Sequence, residues 1–208
     1  MKKTAIAIAA LFLINMAYAQ QKSGKYTTAE DYKQGKFADK DPCTALKWTA
    51  SLHFFIECKR ESKPYAIIMN TGETWYSKKD KNQITTLWGF KVDGDTYRIY
   101  SQPSSKEKKP FRVLKDAAIC LYGDNLATKE EDKEGNIKKV TNRSMVNVNP
   151  ESFYISKTID GEMIELTKSN LATMVQDDAK LAAYVNSKEY SKKDEISIIN
   201  QYNASHKK

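Results

Sequence analysis

Residues 47–58 restrict the fold of this chain more than any other segment. The even-numbered positions of this run carry only apolar side chains, whereas the odd-numbered positions are mostly polar. A period of two is the pattern of a strand with one buried face, because successive side chains of a strand point to opposite sides of its sheet. The run therefore predicts a half-buried strand over 47–58, and with it a β-sheet.

An Asp-Gly pair at Asp93-Gly94 lies between two segments rich in β-forming residues. This pair favours a two-residue type I′ turn, since both central residues of such a turn need a positive φ. A turn centred there fixes the register of the hairpin. The register predicts Phe90 opposite Tyr97 and Trp88 opposite Ile99 on a core face, with Gly89 opposite Arg98 and Leu87 opposite Tyr100 on the other face.

A second Asp-Gly pair, Asp160-Gly161, predicts a second hairpin. Its register would place four apolar side chains on one face, namely Ile155, Ile159, Ile164 and Leu166. Between the hairpins, residues 129–139 are dominated by charged side chains, and Ile137 is their one strongly apolar residue. We expect that stretch to be a solvated loop.

Helical signals lie at the two ends of the chain. Thr27 with Glu30, and Thr28 with Asp31, fit a capping box, and Gly35 would end a short helix there. After residue 166 the apolar period changes from two to that of a helix. The apolar positions are Leu171, Met174 and Val175, then Leu181, Ala182, Tyr184 and Val185, then Ile196, Ile198, Ile199 and Tyr202, with Ser191 and Asp194 as a cap.

Strands followed by helices predict an α+β fold. We expect one unit with a mostly antiparallel β-sheet or open barrel of about six to nine strands, followed by two to three C-terminal α-helices. The expected divisions are a leader over 1–19, an N-terminal segment with a short helix over 20–45, a β-rich core over 46–166 and a helical segment over 167–208.

Residues 1–19 have the three parts of a secretory signal peptide. Lys2 and Lys3 form a cationic start, residues 5–14 an apolar run, and Ala17-Tyr18-Ala19 a cleavage site. The opening MKKTAIAIA resembles the signal peptide of the enterobacterial outer-membrane protein A, which implies export. The apolar run is shorter than a membrane span of roughly 20 residues. We therefore expect a periplasmic or secreted protein with no transmembrane segment after cleavage.

Export would place three cysteines, Cys43, Cys58 and Cys120, in an oxidising compartment. Three cysteines allow one disulfide in any of three pairings, with one thiol left over. The sequence does not choose among the pairings.

Four segments resemble exported proteins of Bacteroidota that have no assigned activity. The segments are GKYTTAEDYKQGK (24–36), LWGFKVDGDTYRIYS (87–101), AICLYGD (118–124) and IELTKSNLATMVQDD (164–178). The resemblance implies export and a β-rich fold. It implies no catalytic residue, because the shared motifs are a strand-turn-strand and a strand-to-helix corner.

The sequence contains no recognisable catalytic, metal or cofactor motif. Its two histidines are His53, which lies four residues from Glu57 in a strand pattern, and His206, which we expect to fray at the C-terminus. Glycine-rich phosphate loops are absent. The net charge is +8, yet the lysine clusters mix signs within loops, so we expect no nucleic acid partner.

The second face of the Asp93-Gly94 hairpin is the candidate binding surface. Lys91, Arg98 and Tyr100 share that face, which would suit a partner or an anionic ligand if nothing covers it. If helices cover it, it is a second core. We favour a non-catalytic binding or interaction module of the cell envelope, whose partner is an envelope protein or a small ligand. The alternatives are an envelope hydrolase that uses carboxylates and a structural or assembly partner of outer-membrane machinery.

Overall fold

The chain forms two compact units, Met1–Lys109 and Pro110–Lys208, rather than the single unit that the sequence predicts. A computed structural model of the protein describes residues 21–48, 54–68, 74–75, 83–84, 87–101, 108–141 and 152–207. Within these residues each unit has a hydrophobic core of its own. Two separate cores are the physical reason for the division.

The first unit is made of small antiparallel sheets and one short helix. Its elements are β1 (Gly24–Tyr26), α1 (Ala29–Lys33), β2 (Cys43–Trp48), β3 (Phe54–Arg60), β4 (Lys63–Ile68), β5 (Thr74–Trp75), β6 (Gln83–Ile84), β7 (Gly89–Val92) and β8 (Asp95–Ser101). Strand β7 pairs with β1 on one side and with β8 on the other, β3 pairs with β2 and β4, and β5 pairs with β6.

The prediction of one strand over 47–58 is wrong. The run belongs to two strands, β2 and β3, which pair antiparallel with Trp48 opposite Phe54. Alternation alone could not show this, because even-numbered Leu46 of β2 packs against the same core as even-numbered Ile56 and Cys58 of β3. Ile56 and Cys58 are fully buried, so the predicted apolar face is confirmed in β3. Residues 49–53 lie outside the described part of the chain.

The predicted turn at Asp93-Gly94 is confirmed. Asp93 has φ +50° and Gly94 has φ +85°, and Phe90 lies opposite Tyr97 in the register expected for a type I′ turn. The two rings stack with their centroids 5.0 Å apart.

The prediction that Trp88 lies on the core face of this hairpin and Leu87 on the other face is wrong. Leu87 packs against the first unit's core, whereas Trp88 packs against Tyr26 and Tyr32. The regular strand begins only at Gly89, so the alternation of faces does not extend back to these two residues.

Helix α1 has the predicted cap. The Thr28 hydroxyl accepts a hydrogen bond from the Asp31 N–H, and the Asp31 carboxylate accepts one from the Thr28 N–H. Gly35 follows the helix with φ +63°, the left-handed conformation in which glycine ends helices.

Replacing Gly94 by valine should destabilise the protein by about 1–3 kcal/mol, because a β-branched residue is strained at positive φ. No atom lies within 4 Å of the position of a new Cβ, so the loss would come from the backbone and not from a clash. The free energy of unfolding from denaturant titration measures it. Thr96→Val, which adds no strain in the adjacent strand, is the control; equal stability of Gly94→Val and wild type would contradict the turn assignment.

The second unit combines an antiparallel sheet, a separate hairpin and C-terminal helices. Its elements are β9 (Lys108–Lys115), which crosses the unit boundary, β10 (Cys120–Gly123), β11 (Thr128–Glu131), β12 (Ile137–Thr141), β13 (Tyr154–Ser156), β14 (Ile164–Glu165), α2 (Lys168–Met174), α3 (Ala179–Asn186), a 3-10 turn (Lys192–Asp194) and α4 (Glu195–Ser205). Strand β10 pairs with β9 and β13, β13 with β14, and β11 with β12.

The prediction of a solvated loop over 129–139 is wrong, because strands β11 and β12 form a hairpin there. Ile137 is 3% exposed and anchors the hairpin in the core of the second unit. The Asn200 side chain donates to the Ile137 carbonyl over 2.7 Å and accepts from its N–H over 3.2 Å. The Ile137 side chain, the Asn200 amide and hydrogen bonds such as that from the Lys129 ammonium to the Leu114 carbonyl therefore order a strongly charged segment.

The second hairpin exists, but its predicted register is wrong. Ile155 lies opposite Ile164, and the Gly161 N–H donates to the Thr158 carbonyl over 3.0 Å. The turn therefore centres on residues 159–160, one residue earlier than predicted. Neither central residue has a positive φ, so the turn does not need the Asp-Gly pair at its centre.

The predicted fold class, α+β, is confirmed, with open and mostly antiparallel sheets followed by C-terminal helices. The Ser191–Asp194 capping box is present and begins the 3-10 turn before α4. The described residues contain 14 strands in four sheets, and the largest sheet has seven strands, within the predicted six to nine. None of the helices in the described ranges has the length and apolar composition needed to cross a membrane.

Candidate functional site

The sheet formed by β1, β7 and β8 has two chemically different faces. In its register Lys25 lies opposite Phe90, which lies opposite Tyr97, so these three side chains share the inner, core-facing side. Tyr26 lies opposite Gly89, which lies opposite Arg98, so Tyr26 and Arg98 share the outer side. The candidate binding residues therefore lie on the outer side.

The three predicted binding residues share this side but differ in exposure. Arg98 is 5% exposed, whereas Lys91 and Tyr100 are half-buried. The Arg98 guanidinium carbon lies 4.8 Å from the centroid of the Tyr100 ring, within the range of a cation–π interaction. The outer side thus combines a buried guanidinium against a half-buried aromatic ring with a half-buried lysine.

Sequence reasoning missed an aromatic cluster on the same side. The Tyr32 and Trp88 rings stack with centroids 4.9 Å apart, and both side chains are half-buried. Tyr26 lies beneath them, with its ring centroid 5.5 Å from that of Tyr32 and 4.9 Å from that of Phe37. The sequence feature that could have indicated part of this cluster is the capping box, because it fixes helix α1 and therefore the position of Tyr32. We call Tyr26, Tyr32, Trp88, Lys91, Arg98 and Tyr100 the aromatic–cationic face.

Gly24 allows Phe37, from the segment after α1, to pack directly against β1 at the edge of this face. A Cβ at Gly24 would lie 2.6 Å from a Phe37 ring carbon, a distance that no real Cβ contact shows. Phe37 therefore lies directly on the β1 backbone, where it supports the Tyr26 ring. This packing holds the segment after α1 against the sheet.

On the inner side, Lys25 is fully buried within an ion network. Its ammonium nitrogen lies 2.8 Å from the Asp39 carboxylate and 3.8 Å from the Asp41 carboxylate, and it donates a hydrogen bond to the Tyr65 hydroxyl. The Tyr65 hydroxyl in turn donates to Asp41 over 2.8 Å, and the Arg60 Nε donates to the same oxygen over 3.0 Å. Two cations and two anions balance, as a buried ion network requires.

A disulfide between Cys43 and Cys58 lies beside the network, and Cys120 is buried and takes no part in a disulfide. Cys43 and Cys58 are opposite each other in the β2–β3 register, with their Cα atoms 4.0 Å apart. Cys58 is also opposite Tyr65 in β4. The disulfide therefore joins the segment that supplies Asp41 to the strands that supply Arg60 and Tyr65.

The hydrolase alternative needs two carboxylates that share an open cleft and have different proton affinities. Asp39 and Asp41 converge, but they converge on Lys25, and Asp41 also accepts hydrogen bonds from Arg60 and Tyr65. This pair acts as the counter-ion of a buried cation. His53 lies outside the described residues, and the described residues contain no group of three or more His, Cys, Asp or Glu side chains able to hold a metal ion.

Removing both anions from Lys25 should destabilise the protein strongly. The double variant Asp39→Asn/Asp41→Asn leaves a buried ammonium without a counter-ion, which costs roughly 3–5 kcal/mol. The free energy of unfolding measures the loss. Adding Lys25→Met removes the uncompensated charge, so the triple variant should recover most of the stability; a triple variant no more stable than the double one would contradict the ion network.

The second unit has a separate polar cluster around Tyr202. The Tyr202 hydroxyl donates to Asp177 over 2.8 Å and accepts from the Lys157 ammonium over 2.7 Å. The His206 ring, expected to fray, instead stacks on Tyr202 with centroids 4.0 Å apart. The hydrogen bond from Tyr202 lowers the pKa of Asp177, while burial raises the pKa of Tyr202.

The lowered pKa of Asp177 should make the second unit acid-sensitive. A carboxylate whose pKa is lowered by folding contributes stability above its ordinary pKa, and that contribution is lost as the pH falls through the lower, folded-state pKa. Thermal unfolding between about pH 2 and pH 5 should therefore show a smaller loss of stability for Asp177→Asn than for wild type. Glu162→Gln, an exposed acid of the same unit, is the control; parallel pH profiles for wild type and Asp177→Asn would contradict this role.

A comparison of the chain with family models, with curated proteins and with solved structures finds no match. The function must therefore be argued from the residues of the aromatic–cationic face.

Proposed function

We propose that the protein is a non-catalytic binding module of the cell envelope, periplasmic or secreted, which binds an acidic segment of a partner protein on its aromatic–cationic face. The observation that carries the proposal is the placement of Lys91 and Arg98 on the same side of one sheet as the half-buried Tyr32–Trp88 pair and Tyr100.

The residue types of this face favour a protein partner. Tryptophan, tyrosine and arginine are the side chains most enriched among residues that dominate protein–protein binding energy. The Tyr32–Trp88 and Arg98–Tyr100 pairs are already stacked, so binding would immobilise few additional rotamers. A surface of this kind can provide affinity without a large rearrangement.

The charges favour an acidic partner. Half-buried Lys91 is the more accessible cation of the face and buried Arg98 adds a second positive charge, and the chain as a whole has a formal net charge of +8, to which the expected leader contributes only Lys2 and Lys3. A positive field of this kind steers acidic partners toward the protein and accelerates their association. Two further observations support the expected location, namely the signal-peptide pattern of residues 1–19 and the Cys43–Cys58 disulfide, a bond typical of oxidising compartments.

Reversing one charge of the face should weaken binding to an acidic polypeptide. Poly-L-glutamate is the probe, and its affinity is measured by isothermal titration calorimetry at fixed ionic strength. Lys91→Glu should weaken binding by about tenfold or more, because a hydrogen bond to a charged group contributes roughly 1.5–3 kcal/mol. An unchanged melting temperature of the variant would show that the fold is intact.

Lys63→Glu is the matched control, since Lys63 is an exposed lysine of β4, away from the face. It makes the same change in net charge and should alter the affinity by less than about twofold. Equal losses in the two variants would show attraction to total charge and contradict the proposed face. The affinities for heparin and for vesicles of anionic phospholipid are measured in the same way. If Lys91→Glu weakens binding to them as much as binding to poly-L-glutamate, the face binds polyanions in general, and the proposed preference for an acidic polypeptide is wrong.

A further inference from the structure

We infer that oxidation of Cys43 and Cys58 controls the assembly of the aromatic–cationic face, because the disulfide fixes the acidic turn that neutralises buried Lys25. The regulatory consequence rests on the proposed function, whereas the structural coupling between the disulfide and Lys25 does not.

The first step of the coupling runs from the disulfide to the acidic turn. Asp41 is two residues before Cys43, and its N–H donates to the Asp39 carboxylate over 3.1 Å, so the two acids form one local unit. Besides the disulfide, the Lys59 N–H donates to the Pro42 carbonyl over 3.0 Å. These two links and the hydrogen bond from the Arg60 Nε to Asp41 attach the turn to β3, and reduction would remove the covalent one.

The second step runs from the acidic turn to β1. Asp39 and Asp41 supply the negative charges next to Lys25, and the Ala38 N–H donates to the Lys25 carbonyl over 2.8 Å. A fully buried ammonium is unfavourable without its anions. Once the turn separates from β3, the Lys25 ammonium is more stable in water than in the core, because it has lost its counter-ions. Its movement toward water displaces β1 from its position in the sheet.

The third step runs from β1 to the face. Tyr26 follows Lys25 directly and points to the opposite side of the strand, where its ring packs against Tyr32, Phe37 and Trp88. Displacement of Lys25 therefore displaces the ring that supports the Tyr32–Trp88 pair. The face would be complete in the oxidised protein and incomplete in the dithiol form.

The redox step is a thiol–disulfide exchange. The Cys43 and Cys58 thiols together lose two electrons and two protons to a disulfide-containing oxidant, which becomes a dithiol, and a sulfur–sulfur bond forms between the two cysteines. A newly made chain in a reducing compartment would thus lack the complete face, which would form after export.

Acylation of lysines with an N-hydroxysuccinimide acetate, followed by mass spectrometry, tests the coupling. In oxidised wild type Lys25 should be protected while exposed Lys22 reacts, so Lys22 serves as the internal reference. In Cys43→Ser/Cys58→Ser the rate at Lys25 relative to Lys22 should rise by about tenfold or more, as local opening of β1 becomes easier. Cys120→Ser, the matched control, should leave Lys25 protected.

Hydrogen exchange separates local opening from global unfolding. In the double serine variant, amides of β1 should exchange faster while those of β10 in the second unit keep their protection. Loss of protection in β10 as well, or continued protection of Lys25 in the double serine variant, would overturn the inference.

Binding of poly-L-glutamate completes the test. If the wild type binds it, the double serine variant should bind about tenfold more weakly, in line with the opening of β1; unchanged binding would overturn the regulatory inference. If wild type does not bind it while Lys25 still becomes reactive in the variant, the proposed function fails and the structural coupling stands.

Discussion

The burial of Lys25 is the constraint on which the first unit depends. An ammonium group removed from water must find anions and hydrogen-bond acceptors, and here these come from the acidic turn at 39–41 and from Tyr65 of β4, while Arg60 at the end of β3 binds Asp41. None of these segments is next to β1 in the sequence. The requirement of one side chain therefore brings together parts of the chain that apolar contacts alone would not place so specifically.

In the second unit, asparagine amides rather than charged groups provide the hydrogen bonds that buried polar groups need. Asn203 accepts from the Ile119 N–H and donates to the Ile119 carbonyl, and Asn200 does the same for Ile137. Both asparagines are on α4, so one helix pairs backbone groups of two separate segments, the one before β10 and the start of β12. Helix α4 is thus held by directed polar contacts as well as by Ile198, Ile199 and Tyr202 in the core.

The sequence predicted what depends on neighbouring residues. The capping boxes at Thr28 and Ser191 and the turn at Asp93-Gly94 are local, because a few adjacent residues determine their geometry. The fold class followed from periodicity. What could not be predicted depends on contacts between distant segments: the reversal within 47–58, the ordering of 129–139 by Asn200, and the buried position of Lys25, which appears in the sequence as one more lysine. The aromatic part of the candidate face was missed for the same reason, since Tyr32 and Trp88 meet only after β1 and β7 have paired.

The short separation between Cys43 and Cys58 has a consequence for the order of events during folding. The two cysteines are 15 positions apart in the sequence, whereas Cys120 is much further along the chain and belongs to the other unit. Loop closure becomes less probable as the loop grows, so in an unfolded chain Cys58 meets Cys43 more often than Cys120 does. In the chain-entropy account, a cross-link over a loop of this size disfavours the unfolded state by about 3 kcal/mol. The third thiol, buried beside Asp116 and the Ala117 carbonyl, is then removed from exchange once the second unit folds. A chain with an odd number of cysteines thus reaches one pairing through proximity in sequence.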